Sequence, residues 1–141
     1  MLRGSVGSIC FARFREDDDV AESIKKTAQQ NNVKAGAVIV IGALKQAVLG
    51  CYKDGEYVNT ELKGHFEIAS CTGNLAVDEK GDTIVHVHIV VSNENGQAFG
   101  GHLQKGCLIG PTAELVIIEA TGINLQRTFD ERTKLKLLKL S

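Results

Sequence analysis

The chain has 141 residues, of which 43% are hydrophobic and 23% are charged, with a single proline, a profile typical of one folded globular domain. Its 16 basic and 17 acidic residues give a net charge of −1, which argues against a dedicated nucleic-acid binder, because phosphate contacts normally require a basic excess. The sequence has neither an apolar run of the roughly 20 residues that span a bilayer nor a signal-peptide pattern, so we expect a cytoplasmic protein with one domain over residues 1–141 and no membrane partner.

The first predicted element is a helix from Asp19 to about Gln30. Asp19 is suited to cap its N-terminus, and Glu22 stands three residues later, in the position of a capping box. Asn31 and Asn32 are expected to end the helix. Apolar residues at helical spacing form the face that should be buried: Val20, Ala21, Ile24 and Ala28.

Runs rich in valine and isoleucine predict strands along most of the remaining chain. The predicted strands cover residues 33–44, 47–52, 66–71, 83–92, 99–109 and 113–120. Turn-forming residues are expected to separate strands at 53–55, 71–74, 79–82 and 93–96. Lys134 and Lys136 alternate with leucines, as on an edge strand. The pattern predicts about seven strands in an α+β fold, a mainly antiparallel or barrel-like sheet with one principal helix packed on it.

The predicted strand at 83–92 is apolar on both faces. Ile84 and Val90 share one face, while valines and an isoleucine fill the other. Such a sheet needs cover on both sides, which one helix in a chain of this size does not supply. We therefore expect the chain to form oligomers.

Two histidines in this strand point to the same face. His86 and His88 are two residues apart, so their Cα atoms should be about 6.5 to 7 Å apart. If a three-residue loop, 94–96, leads to the next strand with its final glycine in the left-handed conformation, His102 faces His88. A loop of two or four residues puts His102 on the opposite face, unless a bulge at the two preceding glycines restores it.

Three neutral imidazoles with a fourth position left open are typical of a catalytic-type zinc site, although iron, nickel and copper also accept imidazole. Taken alone, a His-x-His pair in a strand is more often two ordinary surface or core histidines than a ligand pair. With the third histidine on the adjoining strand, a metal site and a set of ordinary histidines become equally favoured interpretations. We expect one divalent transition metal per chain at His86, His88 and His102, zinc being favoured, with an open position for a small-molecule ligand. His65 is expected at the surface.

Several segments, in order, resemble the plants and prokaryotes conserved (PPC) domain family. They are residues 64–74 (GHFEIASCTGN), 86–88 (HVH), 100–103 (GGHL) and 112–117 (TAELVI), and the similarity extends from 16–24 to 129–131. The resemblance implies an α+β fold and a homotrimer in which strands of neighbouring subunits meet. It also implies that His86, His88 and His102 form the metal site of prokaryotic members.

The resemblance also bears on partners. Plant members use a Gly-Arg-Phe-Glu-Ile segment for partner contacts; the matching residues here, with histidine at the basic position, are Gly64, His65, Phe66, Glu67 and Ile68. Plant members carry an Arg-Gly-Arg-rich hook that enters the DNA minor groove, whereas this chain has only Arg3-Gly4. The family therefore implies a binding or regulatory role, and we expect any DNA association to be weak.

In architecture alone, the domain is similar to acetolactate decarboxylase, a lyase that holds zinc with histidines from paired strands. This similarity implies an alternative function, a small metal-dependent lyase or hydrolase acting on a carbonyl-containing metabolite. Glu67 and Glu114 are then the candidates for moving protons, and no residue is assigned as catalytic.

Overall fold

The structure is a computed structural model that describes residues 1–139. Within these residues, one helix and eight strands follow each other along the chain. They are β1 (Ser5–Arg15), α1 (Val20–Gln30), β2 (Gly36–Lys53), β3 (Glu56–Val77), β4 (Thr83–Ser92), β5 (Ala98–Leu103), β6 (Leu108–Thr121), β7 (Arg127–Asp130) and β8 (Leu135–Leu138). Strands β1 to β6 form one antiparallel sheet, and β7 and β8 form a hairpin. The predicted α+β architecture, an antiparallel sheet with one helix, is confirmed.

Helix α1 begins where the sequence predicts. The Asp19 side chain accepts a hydrogen bond from the Glu22 N–H at 3.0 Å, which satisfies one of the N–H groups that a helix leaves unpaired at its start. Val20, Ile24 and Ala28 are fully buried where α1 packs against β4, β6 and β1. The helix has 11 residues, and residues 1–139 contain no helix long and apolar enough to cross a bilayer.

The six-stranded sheet curls back on itself. Its strands lie in the order β1-β6-β2-β3-β4-β5, and the end strand β5 pairs again with the long strand β2. Two glycines allow this closure, because a Cβ on Gly101 would lie only 2.8 Å from the carbonyl oxygen of Gly50. The sheet is therefore barrel-like at this end.

Cross-strand pairing divides the sheet into a buried face and an open face. The largest fully buried side chains of the sheet are Leu44, Leu75, Ile89, Ile109, Leu115 and Ile117. On the open face, Phe11 of β1 pairs with Val116 of β6, which pairs with Ile39 of β2. This row continues through Thr72 of β3 to His88 of β4. We call Phe11, Ile39, Ile41 and Val116 the open-face stripe. The stripe and the histidines thus share one face of the sheet.

Several predicted boundaries are wrong. Residues 71–74, predicted as a turn, lie inside β3 and pair with β4. Gly73 serves close backbone approach rather than turning, since a Cβ there would lie 2.0 Å from the His86 carbonyl oxygen. The predicted strand at 99–109 is interrupted between β5 and β6, where Gly106 has a φ of 106°. Strand β1 has no counterpart among the predicted strands, and β2 runs through the gap predicted between residues 44 and 47.

Candidate metal centre

The β4–β5 hairpin sets the relative positions of the three histidines. Its loop has the predicted form: the Asn93 N–H donates across the loop to a backbone carbonyl at 3.0 Å, and Gly96 has a φ of 73°. His88 is consequently paired directly with His102. The predicted register is confirmed, and strand alternation brings His86 to the same face as His88.

The three imidazole rings form a compact triangle. The ring centroids of His86 and His88 are 5.5 Å apart, and each lies 5.4 Å from the ring centroid of His102. One ring nitrogen from each residue lies within 4.8 Å of the others. Side-chain rotation can close this separation onto one ion, since Zn–N bonds are about 2.0–2.1 Å long. Among residues 1–139, this is the one group of three such ligand residues.

Tyr57, Asn74 and Arg127 surround the histidine triangle. Tyr57 of β3 stacks on the ring of His102, with centroids 4.6 Å apart and planes inclined by 26°. The Arg127 guanidinium, at the start of β7, donates through Nη2 to His86 Nδ1 and to Asn74 Oδ1, each at 2.9 Å. Its Nη1 donates to a backbone carbonyl of β8 at 3.1 Å. Arg127 therefore ties the C-terminal hairpin to the histidine face.

The surroundings favour the neutral form of two of the imidazoles. Burial, reinforced by electrostatic repulsion from His86, His88 and Arg127 when protonated, lowers the pKa of His102 to about 4. Burial, then Arg127 and His88, also lowers the pKa of His86. Neutral imidazole is the form that binds a metal, so both rings can act as ligands at neutral pH.

A cavity of about 210 Å³ lies beside the triangle. Its polar groups come from Tyr57, His86, His102, Arg127 and Lys136, and its apolar walls come from Ile84, Val85, Leu135 and Leu137. No aspartate or glutamate within the described chain, residues 1–139, lines this cavity. Lys136 pairs with Asp78 outside the cavity, so among residues 1–139 the charge of Arg127 is the one without an acidic side chain to balance it in the cavity.

The β7–β8 hairpin forms the outer wall of the cavity. Lys136 of β8 pairs with Asp78 at 2.9 Å, and the Tyr52 hydroxyl donates to the Thr133 carbonyl oxygen at 2.6 Å. The pairing with Lys136, together with N–H donors of the 79–82 turn, lowers the pKa of Asp78 to about 2. These contacts hold the hairpin against the end of the sheet that carries the histidines.

Two observations test whether a metal ion fits these residues. His102 Nδ1 is buried and has no hydrogen-bond partner in the described part of the chain, as expected where an ion supplies the missing interaction. A guanidinium can only donate, however, so His86 Nδ1 accepts from Arg127 and its Nε2 carries the ring proton. A metal at Nδ1 would replace Arg127, and a metal at Nε2 would leave on Nδ1 a proton that Arg127 cannot accept. The histidines therefore fit an ion once Arg127 moves off His86.

The segment predicted to contact partners divides between core and surface. Phe66 and Ile68 are buried, at 8% and 6% exposure, whereas Gly64, His65 and Glu67 are exposed. The predicted surface position of His65 is confirmed. Three of the five residues remain available to a partner.

The two glutamates considered for proton transfer do not join the histidines. Glu67 pairs with Ser92 at the far end of β4, and Glu114 pairs with Arg13 of β1. Neither lines the cavity. Tyr57 and Arg127 stand there instead; sequence reasoning missed both, because each comes from a distant strand and no local spacing links either one to the histidine motifs.

The sequence matches the family model of the Plants and Prokaryotes Conserved domain, abbreviated PCC or PPC, over residues 1–121. The chain belongs to this family. The PPC match includes His86, His88 and His102 and ends before Arg127. Arg127 and the hairpin it begins therefore lie beyond the matched segment.

Solved structures of similar proteins share the whole architecture. A metal-containing protein from Archaeoglobus fulgidus is 27% identical, with a TM-score of 0.89 and 99% of each chain covered. A PPC protein from Pyrococcus horikoshii is 28% identical, with a TM-score of 0.87, covering 100% of this chain and 96% of that one.

The bifunctional protein GlmU of a Synechococcus strain is 33% identical over 123 residues, which are 86% of this chain but 18% of that protein. The chain thus spans less than a fifth of this curated relative.

Proposed function

We propose that this PPC-domain chain is a metal-binding protein with a binding or regulatory role, holding one divalent transition metal on His86, His88 and His102. The convergence of three ring nitrogens within 4.8 Å carries the proposal. The buried Nδ1 of His102, which has no hydrogen-bond partner within residues 1–139, supports it, as does the similarity over 99% of each chain to a metal-containing protein of A. fulgidus. Zinc is the first candidate, because three imidazoles and an open position suit it.

The surrounding residues have separate roles in such a site. Stacking on Tyr57 fixes the plane of the His102 ring, and burial favours the neutral form of His86 and His102. Arg127 contributes a positive charge beside the ligands. When bound, the ion supplies a Lewis-acid position for an oxygen ligand.

Metal content tests the proposal directly. Protein purified without added chelator should contain about one metal ion per chain, as expected for a three-histidine site. Replacing His86, His88 and His102 together by alanine should abolish this content while circular dichroism still reports a folded protein. His65→Ala is the matched control, because His65 is exposed and outside the triangle. Unchanged metal content in the triple variant refutes the assignment.

We also propose that the chain forms a homotrimer through the open-face stripe. Phe11 is 79% exposed and Ile41 is 55% exposed, and contiguous exposed apolar surface marks association sites. Light scattering should give three times the chain mass, and Phe11→Glu should shift the protein towards monomer. Val58→Glu is the control, since Val58 is an exposed apolar residue, at 52%, outside the stripe. A monomer mass for the unchanged protein refutes the assembly, and a trimer that tolerates Phe11→Glu refutes this surface.

Metal-dependent catalysis on a carbonyl-containing metabolite is the second candidate function, and the cavity beside the histidines favours it. Burial raises the pKa of Tyr57, and electrostatic repulsion from Tyr52 raises it further. The positive charge of Arg127 acts in the opposite direction. The Tyr57 phenol is then a proton donor inside a cavity that no aspartate or glutamate of residues 1–139 lines. Turnover of a 2-oxo acid panel by the metal-loaded protein, lost in Tyr57→Phe, would support this role, and no turnover of any member would count against it.

A further inference from the structure

Arg127 places a positive charge next to the histidine triangle, and among residues 1–139 its hydrogen bonds involve no carboxylate. Arg127 is 6% exposed as a whole residue, and its side-chain hydrogen bonds go to neutral acceptors on His86, Asn74 and β8. Its Nε is buried and has no hydrogen-bond partner among residues 1–139. The neighbouring Lys136 is already paired with Asp78 at 2.9 Å. A buried charge is costly unless a counter-charge accompanies it, and within residues 1–139 no carboxylate lines this cavity.

Metal binding would increase this imbalance and also free a donor. A divalent ion on three neutral imidazoles adds two positive charges, and His86 can no longer accept from Arg127 once it is a ligand. One hydrogen of Nη2 is then released, while the other keeps Asn74. The same movement of Arg127 off His86 can bring its buried Nε, which has no partner among residues 1–139, to the cavity beside the released Nη2 hydrogen. Paired N–H donors of one guanidinium match the two oxygens of a carboxylate.

We propose that the cavity binds a small monocarboxylate, which Arg127 holds by ion pairing beside the metal of His86, His88 and His102. This inference rests on the metal site proposed above. The cavity of about 210 Å³ equals the volume of about seven water molecules at roughly 30 Å³ each. Its walls of Ile84, Leu135 and Leu137 favour a short alkyl body over a compact, multiply charged oxyanion.

Cobalt(II) protein provides the test, because cobalt occupies the same kind of imidazole site and its visible spectrum reports changes in its ligands. The full chain is loaded with cobalt and titrated with sodium butyrate, sodium acetate or inorganic phosphate. Butyrate should change the cobalt spectrum to saturation and should bind about tenfold more tightly than acetate, from the burial of two additional methylene groups. Phosphate should bind more weakly than butyrate.

Variants locate the carboxylate. Arg127→Gln should still bind cobalt but raise the butyrate Kd at least about tenfold, the usual effect of losing a charge-assisted pair. Arg127→Lys keeps the charge without the paired donors. Its Kd for butyrate should lie between that of the unchanged protein and that of Arg127→Gln. Arg132→Gln is the matched control, since Arg132 is exposed, lies in the turn between β7 and β8, and does not line the cavity.

Each failure has its own signature. Cobalt that does not bind, or that binds without the histidines, refutes the metal site and is measured before any carboxylate is added. If cobalt binds through the histidines, the carboxylate site is overturned by a spectrum that butyrate leaves unchanged, by phosphate binding at least as tightly as butyrate, or by Arg127→Gln binding butyrate like the unchanged protein. The butyrate-to-acetate ratio in the unchanged protein tests the cavity even if both Arg127 variants misfold, and equal affinities would overturn the alkyl site.

Discussion

The titration of His102 predicts how the stability of the metal-free protein depends on pH. The surroundings of His102 lower its pKa from 6.5 to about 4 in the folded chain. Between these two pH values, the unfolded chain binds a proton at this residue that the folded chain does not bind. Stability is therefore lost as pH falls from about 6.5 towards 4, and below about 4 no further loss comes from this residue. Between pH 7 and pH 5 the full shift corresponds to about 1.8 kcal/mol. Solvent screening of a half-buried ring reduces this to about 1 kcal/mol.

Urea unfolding at pH 7 and pH 5, with a chelator present and a fixed protein concentration, measures this loss. His102→Gln keeps a polar side chain without a titrating ring, so its stability should fall by about 1 kcal/mol less than that of the unchanged protein. In a thermal scan the difference is about 3 to 4 °C for a chain of this length. His65→Gln, at an exposed position outside the site, should keep the full pH dependence. Parallel losses for His102→Gln and the unchanged protein would refute the buried, neutral histidine.

Two further predictions follow from contacts within the sheet and its turns, and a third follows from the net charge. Gly73→Ala should lower the free energy of unfolding by about 3 kcal/mol or more, because its Cβ would meet the His86 carbonyl oxygen at 2.0 Å. Gly110→Ala is the control: its nearest such contact is 3.5 Å, so urea unfolding should show a much smaller loss of free energy. Asp78→Asn should lower the urea midpoint at pH 7. The difference in midpoint from the unchanged protein should shrink as pH falls from about 3.8 to about 2. A midpoint difference that stays constant over this range would contradict the ion pair with Lys136. DNA binding should be weak, salt-sensitive and indifferent to sequence, given the net charge of −1; nanomolar affinity for one duplex at physiological salt would make a transcriptional role the leading hypothesis.

Local chemistry accounts for the parts of the site that the sequence predicts. Strand alternation places His86 and His88 on one face, and a three-residue loop ending in a glycine with positive φ, here Gly96, adds His102 to it; the sequence predicts that arrangement only for this loop length. The segment around Gly73 was misassigned as a turn because threonine, glycine and asparagine also form turns. Whether a glycine turns the chain or admits a neighbouring backbone depends on the strand opposite, here the carbonyl of His86. That information is tertiary.

The same limit explains the residues that sequence reasoning did not find. Tyr57 reaches His102 because β2 and β3 form a long hairpin, and β2 also pairs with β5. Arg127 reaches His86 from 41 residues away, along a hairpin whose position depends on contacts with β2 and with the residues that follow β3. Neither residue has a spacing that marks it. The sequence predicts that apolar strand faces need cover from other subunits, but it does not identify the open-face stripe. Phe11 of this stripe lies on β1, a strand that sequence reasoning did not find.

The small C-terminal hairpin has a consequence for access to the cavity. Strands β7 and β8 have four residues each, and an isolated two-stranded hairpin of that size has little stability in water. It is held largely by polar contacts, such as those of Arg127, Lys136 and Tyr52. Such a unit opens by local unfolding with a smaller free energy than the whole domain, so its amide hydrogens should exchange with solvent sooner than those of β2. Local opening of the hairpin would therefore widen access to the cavity beside the histidines, while the six-stranded sheet stays folded.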